Sequence, residues 1–74
     1  MTELTTGMRD ALAYMASREQ ATGRKWGPIH DVHKSSLYAL ERRGLAIRNG
    51  YQGVAKLTDE GVRAAKALAK EDSQ

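Results

Sequence analysis

Between Ser36 and Gly61 the chain changes its residue period twice, and a glycine or threonine marks each change. Ser36-Leu37-Tyr38-Ala39-Leu40-Glu41-Arg42-Arg43 has helical spacing, with Leu37 and Leu40 directed inward between Val32 and Leu45. Gly44 is suited to the left-handed turn that ends such a helix. Leu45 and Ile47 then alternate with Ala46 and Arg48, and Ala55 and Leu57 alternate with Val54 and Lys56. That two-residue period belongs to strands. Asn49-Gly50-Tyr51-Gln52-Gly53 between them predicts an irregular hairpin tip, with Gly50 and Gly53 available for positive φ. Thr58 caps a last helix, and Asp59 and Glu60 fall in its dipole-favoured first turn. Val62, Ala65, Leu68 and Ala69 share one face of that helix.

The flanking segments complete the layout. Thr5 or Thr6 can cap a first helix whose inner face carries Leu4, Met8, Ala11, Leu12 and Met15. This helix should stop by Gly23. Arg24 to Pro28 reads as a connector, and Pro28 favours a short helix or turn over Pro28–Val32. Trp26, Ile29 and Val32 are its expected core contacts, with Trp26 filling the space between the first helix and the hairpin base. The third element is expected from about Lys34 to Arg43, capped by Ser35 or Ser36. The prediction is therefore one domain over residues 1–74, mainly α with a small β-hairpin (α+β). Its order is helix, short helix, helix, hairpin, helix, with a frayed tail from Glu71 to Gln74.

A chain of 74 residues buries a modest core. It has no cysteine, so disulfides and thiolate metal sites are excluded. No apolar run approaches the roughly 20 residues that cross a bilayer. The Met1-Thr2-Glu3-Leu4 start lacks the pattern of a signal peptide. A cytoplasmic location and no membrane partner are expected. Net charge is only +3, but it is unevenly placed. Residues 24–56 hold seven cations against two carboxylates, a local excess of +5, while the segments on either side each carry −1. Clustered positive charge is the footprint of a polyanionic partner.

Ser36-Leu37-Tyr38-Ala39-Leu40-Glu41-Arg42-Arg43-Gly44-Leu45 and Leu57-Thr58-Asp59-Glu60-Gly61 resemble the end of the recognition helix and the wing-to-helix junction of PadR-like and MarR-like transcriptional regulators. The resemblance covers about Ser36 to Ala67. Leu-Thr-x-x-Gly junctions recur across winged helix-turn-helix families, so the motif indicates a superfamily rather than a member. The chain departs from those regulators in its abbreviated second helix, its short wing and the lack of a long C-terminal helix or effector region. In size it is similar to the small regulators and excision-type factors of phages and mobile elements.

The resemblance implies a double-stranded DNA partner, with the recognition helix in the major groove and the wing on the backbone or minor groove. Lys34, Ser35, Ser36, Tyr38 and Arg42 are then the groove-facing set. Arg48, Asn49, Tyr51, Gln52 and Lys56 belong to the wing. Arg24 and Lys25 lie where a connector can touch the backbone. Ser36 has an alternative role as a helix cap, Tyr38 as a packing residue, Arg43 as a complement to the helix dipole, and Asn49 as a turn former. The alanine-rich first and last helices offer a face for a homodimer. His30-x-x-His33 beside Asp31 falls short of the three convergent ligands a metal site needs, so no metal or cofactor is expected. No nucleophile–base–orienter set, carboxylate pair or phosphate loop argues for an enzyme. The competing reading is a winged-helix protein-interaction module for an acidic or apolar partner, which requires an exposed apolar patch around Trp26 or Tyr51.

Overall fold

A computed structural model describes residues 4–72; of Asp72 only the backbone is described. The expectations for Met1-Thr2-Glu3 and for Ser73-Gln74 lie outside the described residues. The elements run in the order α1 (Thr6–Thr22), β1 (Gly27–Pro28), a 3-10 turn (Ile29–Asp31), α2 (Lys34–Arg42), β2 (Ala46–Asn49), β3 (Val54–Leu57) and α3 (Asp59–Asp72). The result is a small α+β protein with three α-helices and a three-stranded antiparallel sheet.

Local signals set most of the boundaries. The Thr5 hydroxyl accepts from the Met8 amide at 3.2 Å and starts α1. Gly23 ends it at φ 71°, donating to the Glu19 carbonyl. After α2, Gly44 turns the chain at φ 75°, so that Leu45 can return its amide to the Leu40 carbonyl at 2.9 Å. At the hairpin tip only Gly53 takes positive φ, at 70°; Gly50 does not. The Asn49 carbonyl closes the tip by accepting from the Gly53 amide at 2.9 Å, and its side-chain oxygen accepts from the Gln52 amide at 3.2 Å. Asn49 is therefore a turn former, one of its two expected roles.

The sheet order is β1-β3-β2, with Gly27 opposite Ala55, Arg48 opposite Ala55, and Ala46 opposite Leu57. β1 is two residues long and replaces the irregular connector expected there. The 3-10 turn that follows is the short element anticipated near Pro28, and Ile29 and Val32 pack partly buried against the core. The strand period of the hairpin is as expected, and its buried phase belongs to Ala46, Ala55 and Leu57, leaving Ile47 on the outer face.

Met8, Ala11, Leu12 and Met15 of α1 form the core with Leu37 and Leu40 of α2, the three inward sheet residues and Ala65 of α3. Four of these ten core residues are alanines, so the apolar area withdrawn from water is small for a chain of this length. Glu71 continues the helix instead of fraying and meets Arg9 at 3.3 Å, an exposed pair of little energetic weight.

One junction ties the last three elements together. The Thr58 hydroxyl donates to the Gly44 carbonyl at 2.7 Å and accepts from the Gly61 amide at 3.0 Å. The Thr58 amide donates to the Leu45 carbonyl at 3.0 Å. The same side chain thus caps α3 and anchors the end of α2 to the base of the hairpin. Replacing Thr58 with alanine removes both bonds and should cost about 1–2 kcal/mol, read as a lower denaturation midpoint in urea. Serine at 58 should recover most of that loss, and equal loss in both variants would assign the effect to the methyl group instead.

Candidate nucleic-acid interface

Helix α2 begins at Lys34, with His33 as its N-cap residue and no side-chain capping bond. Neither Ser35 nor Ser36 caps it. Ser35 lies exposed within 2.9 Å of the His33 Nδ1. Ser36 is buried and leaves the expected groove-facing set. It falls on the inward side beside Leu37 and Leu40, where α1 comes so near that a Cβ at Gly7 would sit 2.7 Å from the Ser36 hydroxyl. A glycine on one helix and a small hydroxyl on the other permit that approach.

The outer face of α2 keeps Lys34, Ser35 and Arg42 exposed, and Tyr38 half-buried. Arg48 of β2 bridges this face to the hairpin. Its guanidinium lies 4.7 Å from the centre of the Tyr38 ring, and its Nε donates to Glu41 Oε1 at 3.4 Å. Arg48, expected in the wing, shares its charge with Glu41 and spans α2 and β2. This bridge makes the helix face and the hairpin base adjacent parts of one surface.

The other cations of the middle segment are available. Among the described residues, Arg24, Lys25, Lys34, Arg42, Arg43 and Lys56 form no ion pair with a carboxylate, although seven cations occupy residues 24–56. Arg43 follows α2 as its C-terminal cap residue, where a positive charge complements the helix dipole. At the hairpin tip Tyr51 and Gln52 project into solvent, Tyr51 being 99% exposed.

Trp26 is the largest departure from expectation. It does not enter the core; it is 41% exposed, with the Lys56 ammonium 5.0 Å from its ring centre. The cause is strand alternation. Gly27 takes the inward position opposite Ala55, which turns Trp26 outward. The inward space over Gly27 is filled by the Arg18 guanidinium, which a Cβ at Gly27 would strike. Arg18 donates from Nη1 to the Pro28 carbonyl at 3.1 Å and to Asp31 Oδ2 at 3.4 Å, joining α1 to β1 and the 3-10 turn. Tyr14 also donates to Asp31 Oδ2, at 3.0 Å, and that bond to a carboxylate raises the phenol above its ordinary pKa. Arg18 and Tyr14 gave no positional signal in the sequence beyond lying one helical turn apart.

Two further features bear on partners. An open groove of about 720 Å³ separates α1 from α3, floored by Ala13, Ala16, Val62, Ala65 and Leu68. No helix among the described residues is long and apolar enough to cross a membrane, and no three histidines or carboxylates among them are grouped to share a metal ion.

Comparison of the chain with protein-family models, curated proteins and solved structures finds no match.

Proposed function

We propose that the chain is a winged helix-turn-helix protein that binds double-stranded DNA and acts by occupying or bending its site, as a transcriptional regulator or an excision-type architectural factor in the cytoplasm. The observation that carries this reading is the Arg48 bridge. It joins the exposed face of α2 to the hairpin, within a segment whose remaining six cations have no carboxylate partner among the described residues. In this reading α2 is the recognition helix, and its Lys34, Ser35, Tyr38 and Arg42 enter the major groove. Asn49, Tyr51, Gln52 and Lys56 form the wing side, and Arg24 and Lys25 contact the backbone. Arg48 orients Tyr38 and can exchange Glu41 for phosphate. A second copy of the chain would use the small-residue groove between α1 and α3, and sedimentation at two concentrations distinguishes monomer from dimer.

The test is fluorescence anisotropy on labelled duplex DNA across a salt series. With about five phosphate contacts, log K should fall with log salt at a slope of about −4 to −5. No binding at low salt, or binding indifferent to salt, removes the proposal.

A further inference from the structure

The outward face of the sheet is a second surface, chemically distinct from the α2 face. Ile47 and Lys56 are cross-strand partners on it, and the Lys56 contact with Trp26 extends that row to three side chains. Asn49, Val54 and Pro28 form the next row. Ile47 is 46% exposed and Trp26 41%, an apolar patch on the solvent side of a small sheet. The charge placed on this face is the Lys56 ammonium; Arg24 and Lys25 are the exposed chain neighbours of Trp26, and residues 24–30 and 42–58 contain no carboxylate. Of the acids that border these segments, Asp31 is held by Arg18 and Tyr14 and Glu41 by Arg48, and Asp59 lies exposed in the first turn of α3.

We infer that this face docks an acidic polypeptide segment of a partner protein, one that carries aliphatic side chains between its carboxylates. Charge complementarity selects an anionic occupant. The lining then selects among anions. Pro28, Ile47 and Val54 are aliphatic and match leucine-like side chains, and Trp26 is the single ring of the patch on which a nucleobase can stack. The Trp26 ring already carries the Lys56 ammonium. A lipid surface needs a polybasic cluster with a lipid anchor or an amphipathic helix, and three cations beside a strand patch supply neither. Tryptophan is among the residue types in which interface energy concentrates, and Trp26 lies exposed beside Ile47 and Lys56. The inference does not depend on duplex binding, because Trp26 and Ile47, its apolar part, take no part in the proposed duplex contacts; Arg24, Lys25 and Lys56 are shared, so peptide and duplex compete for them.

Trp26 is the only tryptophan, so its emission reports on this face. The probe is a synthetic peptide of aspartate, glutamate and leucine, compared with its lysine counterpart, oligo-dT and phosphatidylglycerol vesicles. The acidic peptide alone should shift the emission to shorter wavelength, saturably and less at high salt. By anisotropy of labelled peptide, Ile47→Ser and Lys56→Glu should each weaken binding by about tenfold or more, and Arg42→Ala should leave it unchanged. Both substituted side chains are at least partly exposed, and unchanged circular dichroism verifies folding. The inference is overturned if oligo-dT or vesicles bind this face more tightly than the peptide, or if millimolar peptide leaves the emission unmoved. Duplex binding retained by Ile47→Ser separates failure here from failure of the DNA reading.

Discussion

Alanine at position 61 should destabilise the protein by at least about 3 kcal/mol, or prevent folding altogether. A Cβ on Gly61 would run into the Leu45 carbonyl oxygen and also crowd Leu57. The obstructing atom is backbone, fixed by the Thr58 amide that donates to it at 3.0 Å, so it has no rotamer by which to yield. Helix propensity points the opposite way: alanine for glycine in a helix ordinarily gains about 1 kcal/mol. The sign of the effect therefore separates the two causes. In a domain of this size the loss corresponds to a drop of at least about 12 °C in melting temperature, measured by circular dichroism. A Gly61→Ala protein that melts at or above the wild-type temperature would show that α3 does not approach β2 in this way.

The second large effect concerns the α2 face. Lys34→Ala combined with Arg42→Ala should lower duplex affinity by about 50- to 100-fold near 0.1 M salt and flatten the salt slope by about two. Arg63→Ala makes a suitable comparison. It removes a cation exposed on α3 and paired with Glu60, and it should change affinity less than about twofold. If the two proteins lose affinity equally, attraction to DNA comes from net charge alone and α2 has no special part. The same pair of substitutions should leave acidic-peptide binding at Trp26 intact.

Residues whose roles are decided by their sequence neighbours were legible in advance. Thr5, Gly23, Gly44 and Thr58 act within one helical turn, and each lies at the boundary its residue type indicates. The inward stripes of α1 and α2 follow from helical spacing in the same way. The errors arise where a distant partner decides. A two-residue strand has no period to read, so neither β1 nor the outward turn of Trp26 is legible in the sequence. Ser36 looked like a cap because serine suits that role, yet the approach of Gly7 from another helix buries it. The contacts of Arg48 with Glu41 and Tyr38 were not legible either, because they form only after the chain has turned at Gly44. The positive middle third was legible, and the engagement of one of its charges inside the protein was not.

The alanine-rich interior has a consequence for how long each molecule persists. With so little side-chain volume holding the layers together, the gap between native and denatured forms should be narrow, and transient opening frequent enough for proteases to act on it. Any ligand that recognises only the native form narrows that exposure by mass action. Lifetime and occupancy would thereby be linked: copies held by a partner of the native form would outlast unengaged ones.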